Sequence, residues 1–174
     1  TDDNQSVDPS GYKNALRSPD ADPEVQYGVV GAASGVPIAE FVTAANDPGV
    51  ALYESGLWGG NIWAYLDSSG GSNTIRVEVY SRTVGGVETP LFNMSTPEIT
   101  AVGEPSAARY EIISAQTEFN VAATDRIVFK TFAVSDSGKT ISYCVGGSAR
   151  YSHFHTPLIQ QGYSGLSGYS GASG

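Results

Sequence analysis

Between about Val36 and Leu158 apolar and polar positions alternate in short runs broken by turn-forming residues. In NTIRVEVYSR, Asn73 to Arg82, Ile75, Val77 and Val79 alternate with Arg76, Glu78 and Tyr80, a period of two that turns one face of a strand inward. DRIVFKTFAV, Asp125 to Val134, is β-branched and aromatic on both faces, which predicts a central strand. Further strands are expected over Ile38 to Ala44, Gly49 to Tyr53, Asn61 to Asp67, Leu91 to Met94, Arg109 to Ala115, Thr140 to Val145 and Tyr151 to Thr156. Turn signals separate them, among them SSGGSN at 68–73, VGGVE at 84–88, VGEPS at 102–106 and SDSGK at 135–139. Eight or nine short strands without a strong amphipathic helix predict an all-β sandwich, and at this length a jelly-roll β-sandwich over 36–161.

The flanks read differently. Residues 1–35 carry scattered acids, Pro9, Pro19 and Pro23, and small residues, without a sustained period, and read as an extended N-terminal arm. A short helix near Tyr12 to Arg17 is the one helical alternative there. From Gly162 the chain runs GYSGLSGYSGASG, with Gly162, Gly165, Gly168, Gly171 and Gly174 in strict period three and serine before each later glycine. Three close-packed polyproline-II strands require this spacing, since only glycine fits at their shared axis. A flexible Gly/Ser linker has no reason to keep the period. Residues 162–174 therefore read as a collagen-like C-terminal stem. It has four triplets and no proline, too little to hold three chains alone. Either the head trimerises first or the repeat continues beyond Gly174, and an ending in mid-repeat favours continuation. With Thr rather than Met at position 1, the chain is expected to be processed or part of a longer one.

Composition narrows the partners. The 174 residues include 21 Gly, 9 Pro and only 16% charged residues, a turn-rich and strand-rich balance. A net charge of −9 disfavours landing on phosphate backbones or anionic lipid, so neither nucleic acid nor membrane is an expected partner. Cys144 is the single cysteine, so it forms no intrachain disulfide and is expected as a small buried side chain in a strand. No nucleophile elbow, phosphate-binding loop or dinucleotide fingerprint occurs, and no pair stands out among the 18 acids, so an enzyme is not expected. The acids of TDDN and SPDADPE lack calcium-loop spacing and read as a solvated arm.

Two groups of side chains carry candidate chemistry. His153 and His155 flank Phe154 and would project from one strand face about 7 Å apart, too far for easy chelation of one ion by one chain. Around a threefold axis, three copies of each would form two stacked rings able to hold a metal ion. The other reading is a pair of polar residues at an interface or facing solvent. In LWGGNIWAYLD, Ile62, Ala64 and Leu66 occupy one face and Trp63 and Tyr65 the other, so the second face is expected to be covered by another protomer or by the chain's own arm. Trp58, Trp63 and Tyr65 are candidate contacts for a glycan or a partner.

From Trp58 to Leu158 the chain resembles jelly-roll domains of virion proteins of tailed bacteriophages, notably fibres and head appendages. The resemblance rests on LFNMSTPEI at Leu91 to Ile99, FNVAATDRIVFK at Phe119 to Lys130 and YSHFHTPL at Tyr151 to Leu158. Such domains often adjoin collagen-like runs. The resemblance implies a homotrimer on the virion surface, touching other virion proteins and in some cases a host-surface glycan, with no organic cofactor. A C1q-like or tumour-necrosis-factor-like shape is a related form. The expected function is a fibre, spike or capsid decoration. The alternatives are a carbohydrate-binding adhesion module and, after it, a glycan depolymerase.

Overall fold

A computed structural model describes residues 10–15, 23–30, 35–47, 49–146 and 149–157; the glycine-triplet segment lies outside them. Among the described residues there is no α-helix, and the chain is an all-β sandwich. Its strands are β1 (Lys13–Asn14), β2 (Val25–Val30), β3 (Ala39–Val42), β4 (Leu52–Tyr53), β5 (Gly56–Leu66) and β6 (Asn73–Arg82). They continue as β7 (Glu88–Ser95), β8 (Ala108–Gln116), β9 (Phe119–Asn120), β10 (Arg126–Ser135), β11 (Thr140–Val145) and β12 (His153–His155).

One sheet has the order β1-β3-β10-β6-β7. In the other, β5 pairs with β8 along one edge and with both β11 and β12 along the opposite edge, and β2 lies outside β11. The short pair β4 and β9 forms a third, two-stranded sheet. The chain crosses repeatedly between the two large sheets: β5 to β6, β7 to β8 and β10 to β11 each change sheet. The β6–β7 hairpin stays within one sheet and closes through Gly86, whose φ of 87° favours a residue without a Cβ.

The strand pattern read from the sequence accounts for the core. In β6, Ile75, Val77 and Val79 are fully buried while the alternate residues are half-buried. Central β10 buries residues on both faces, with Ile127 and Phe129 toward the core and Val128 away from it. Ile62, Ala64, Leu66, Ile112, Ile141 and Tyr143 meet them from the opposite sheet. One polar link crosses the core. Thr131 Oγ1 accepts from Ala39 N at 3.2 Å and donates to Ala39 O at 3.0 Å, so its contact with Tyr143 at 3.0 Å has the tyrosine hydroxyl as donor. Burial holds the Tyr143 pKa above its ordinary value, which keeps that proton in place.

Two segments of the expected arm join the sheets. Lys13–Asn14 is a strand parallel to β3, where the sequence offered a helix as its alternative, and Val25–Val30 pairs with β11 over six residues. The reason is edge pairing: β3 and β11 each leave a ladder edge unfilled, and these segments satisfy its backbone groups. Part of 1–35 thus belongs to the sandwich itself.

Candidate outer-face site beside the last strand

On β5 the core takes Trp58, Ile62, Ala64 and Leu66, so alternation turns Leu57, Gly59, Asn61, Trp63 and Tyr65 outward. On β8, Ile112 points inward, so Arg109, Glu111, Ile113 and Ala115 share the outer face. On β12, Phe154 packs into the core and stacks on Phe129 with centroids 5.2 Å apart, which turns His153 and His155 out. The register sets these residues in rows: Ala115 beside Leu57; Ile113, Gly59 and His155; Glu111, Asn61 and His153; Arg109 beside Trp63.

β12 lies close to β5 because Gly60 has no side chain; a Cβ there would collide with the His153 carbonyl. Tyr151, His153 and His155 form a ladder of rings, with centroids 5.2 Å apart for the first pair and 5.9 Å for the second. Asn61 Nδ2 lies 3.4 Å from His153 Nε2. Burial, and then the neighbouring His155, hold the His153 pKa below its ordinary value, so the neutral ring is favoured. The expected same-face projection of the two histidines is observed. Among the described residues no three His, Cys, Asp or Glu side chains gather to hold a metal ion. Two imidazoles of one chain supply only two of the four ligands zinc takes.

The three aromatic candidates separate. Trp58 is fully buried, within 6 Å of Tyr53, Phe92 and Phe119 by ring centroid, and offers nothing to a glycan or partner. Trp63 and Tyr65 lie half-buried on the outer face, and Tyr65 donates to Gln26 Oε1 of β2 at 2.6 Å. Part of the cover expected for this face therefore comes from the chain's own N-terminal segment. Cys144, opposite Trp63, is fully buried as expected, and burial followed by nearby Glu24 pushes its thiol up to about 12, so it stays protonated. Beside it Arg150 grips the Glu24 carboxylate with two nitrogens, at 2.8 and 3.1 Å, and reaches the Glu104 carboxylate and main-chain carbonyl.

Leu57 and Ile113, 62% and 53% exposed, were not among the sequence candidates. The signal was present: carrying the alternation of Trp63 back to Leu57 places the two on one face, and adjacent Ile112 and Ile113 in a strand force one of them outward.

The outer face of the other sheet is occupied by its own charges. Lys130 Nζ lies 2.9 Å from Glu40 and 2.7 Å from Glu88, Arg82 lies 3.0 Å from Glu88, and Tyr12 from the N-terminal segment donates to Glu88 at 2.6 Å. Burial alone would lower the Lys130 pKa and raise that of Glu88, but the contacts with each other and their neighbours reverse both shifts. These groups spend their charge on one another across four strands, the pattern of a structural cover.

Two of the three stretches singled out in the sequence have structural roles. In Leu91 to Ile99, Thr96 Oγ1 accepts from Ile75 N at 3.0 Å and Ile99 is buried. In Phe119 to Lys130, buried Asp125 accepts from Ala122 N at 3.3 Å and closes the turn before β10. Tyr151 to Leu158, by contrast, includes the two outward histidines. No known protein family matches the chain, and no curated protein matches it.

Proposed function

We propose that this chain is a bacteriophage virion structural protein, a trimeric fibre, spike or capsid decoration that displays its sandwich head on a glycine-triplet stem and contributes to host-surface adhesion. The observation that carries the reading is the join: the last strand ends at His155, Pro157 follows, and the strict glycine period starts at Gly162. A triplet stem needs three chains in register, and a folded head that trimerises can set that register. The interleaved strand orders β2-β11-β5-β8 and β3-β10-β6-β7 support a jelly-roll form for the head, which has two Greek keys in two sheets. The virion setting rests on the resemblance in the three stretches above. A metal ion at the threefold axis, held by His153 or His155 of three chains, belongs to this reading as an optional pin. Trp63 and Tyr65 are the aromatic residues left to meet a glycan.

The test joins sedimentation of the intact chain with immunogold labelling of particles. A mass three times 18.2 kDa and gold on a virion surface are expected. A monomer unattached to any particle contradicts the proposal.

A further inference from the structure

We infer that the outer-face corner formed by Leu57, Ile113 and Ala115, with His155 at its border, is the surface through which two further copies of this chain pack around the stem axis. The inference rests on the trimer reading above and locates its interface. Pro157 and Gly162 are five residues apart, a span of at most about 18 Å even when fully extended. In a triplet stem the glycines of three chains meet at one axis. Each Pro157 must then lie within roughly that distance of the axis, less than the width of four strands at about 4.8 Å each. Pro157, and the end of β5 it packs on, therefore lie near that axis.

Pro157 packs on Gly56 at the start of β5, where an added Cβ, on the same side of the strand as Trp58, would stand 2.8 Å from the proline ring. The next outward residue on β5 is Leu57, level with Ala115, and the row beyond holds Ile113, Gly59 and His155. Leu57 and Ile113 are both more than half exposed, and no charged residue stands in either row. On the flank away from Pro157 charges begin one row further on with Glu111, then Arg109, of opposite sign, and exposed Glu54 and Glu118 lie just beyond the Gly56 and Gln116 end of the pair. An apolar centre with a polar rim is the anatomy of a protein interface. A contact joining unlike patches closes into a ring when the rotation is threefold. The exposed valines Val84 and Val87 sit at the β6–β7 hairpin, in the other sheet, and serve as the internal control.

The test is the mass of the intact chain by sedimentation, for wild type, for Leu57→Glu with Ile113→Glu, and for Val84→Glu. A wild-type trimer, a folded monomeric double variant and a trimeric Val84→Glu protein are expected. The near-ultraviolet dichroism of the buried Trp58 cluster reports folding. If the double variant fails to fold, Leu57→Ser with Ile113→Ser takes its place and should weaken trimer association at least tenfold. A wild-type trimer whose patch variants dissociate no more readily than wild type overturns this interface while leaving the trimer intact. Equal loss of trimer in Val84→Glu overturns it too. A monomeric wild type removes the trimer reading and this inference together.

Discussion

His153 stands between two aromatic neighbours, with Tyr151 on one side and His155 on the other, and is half-withdrawn from water. Its protonated form is disfavoured in the fold, first by burial and then by His155, so its folded pKa lies below the ordinary imidazole value of 6.5. Between those two values the unfolded chain binds more protons than the folded one, so stability is full above the unfolded pKa and declines as pH falls through that window. Thermal melts from about pH 8 to about pH 5 should show this decline, and His153→Asn should remove part of it. Equal slopes for both proteins would contradict the assignment. Glu88 belongs to a separate window. Its pKa is held below 4.5 by Lys130, Tyr12 and Arg82 against the effect of burial, so its contribution is lost only at lower pH. Trp58 shows the limit of reading single residues. Its residue type suggested a contact surface, but a separation of five residues from Trp63 on a period of two places the pair on opposite faces. Trp58 therefore fell to the core.

β11 and β12 pair with the same edge of β5, at Trp63 to Leu66 and at Gly59 to Asn61, so together they act as one strand interrupted between Val145 and His153. Ser152 joins the halves: its buried hydroxyl accepts from Trp63 N at 3.1 Å and donates to Cys144 O at 2.6 Å, standing in for a missing rung. Ser152→Ala leaves a strand amide without its acceptor, and should cost about 1–3 kcal/mol in urea denaturation. Amide exchange should quicken at His153 to His155 ahead of the remaining strands. An unchanged exchange pattern would contradict the bridging role. The interruption itself was legible, since Thr140–Val145 and the last strand were expected as separate runs with GGSAR between them. β6 was legible to the residue because its alternation is complete. β5 starts five residues earlier than expected, at Gly56, because Gly56 and the glycines of LWGG weaken the strand signal, while Gly56 permits the close approach of Pro157 and Gly60 that of β12. β2 escaped notice although Val25, Tyr27 and Val29 alternate, since Gly28 dilutes the run and an edge strand has only one neighbour to support it.

At the scale of the molecule, the described residues form an all-β sandwich, and the glycine triplets of 162–174 lie outside them. One outer face is closed by the Tyr12, Arg82, Glu88, Lys130 and Glu40 network, and the other carries an apolar corner next to the exit of the chain. The sandwich architecture was legible from alternation and turns. The corner was not, because it joins Leu57 to Ile113, 56 positions apart in sequence, through a pairing register that only the fold supplies. The central claim is that the heads come together first and bring three stems into register. Its most direct measurement is the sedimentation mass of the chain ended after Gln161, which retains the head and lacks every stem triplet. The account predicts that this head remains a trimer; a folded head that sediments as a monomer would contradict it.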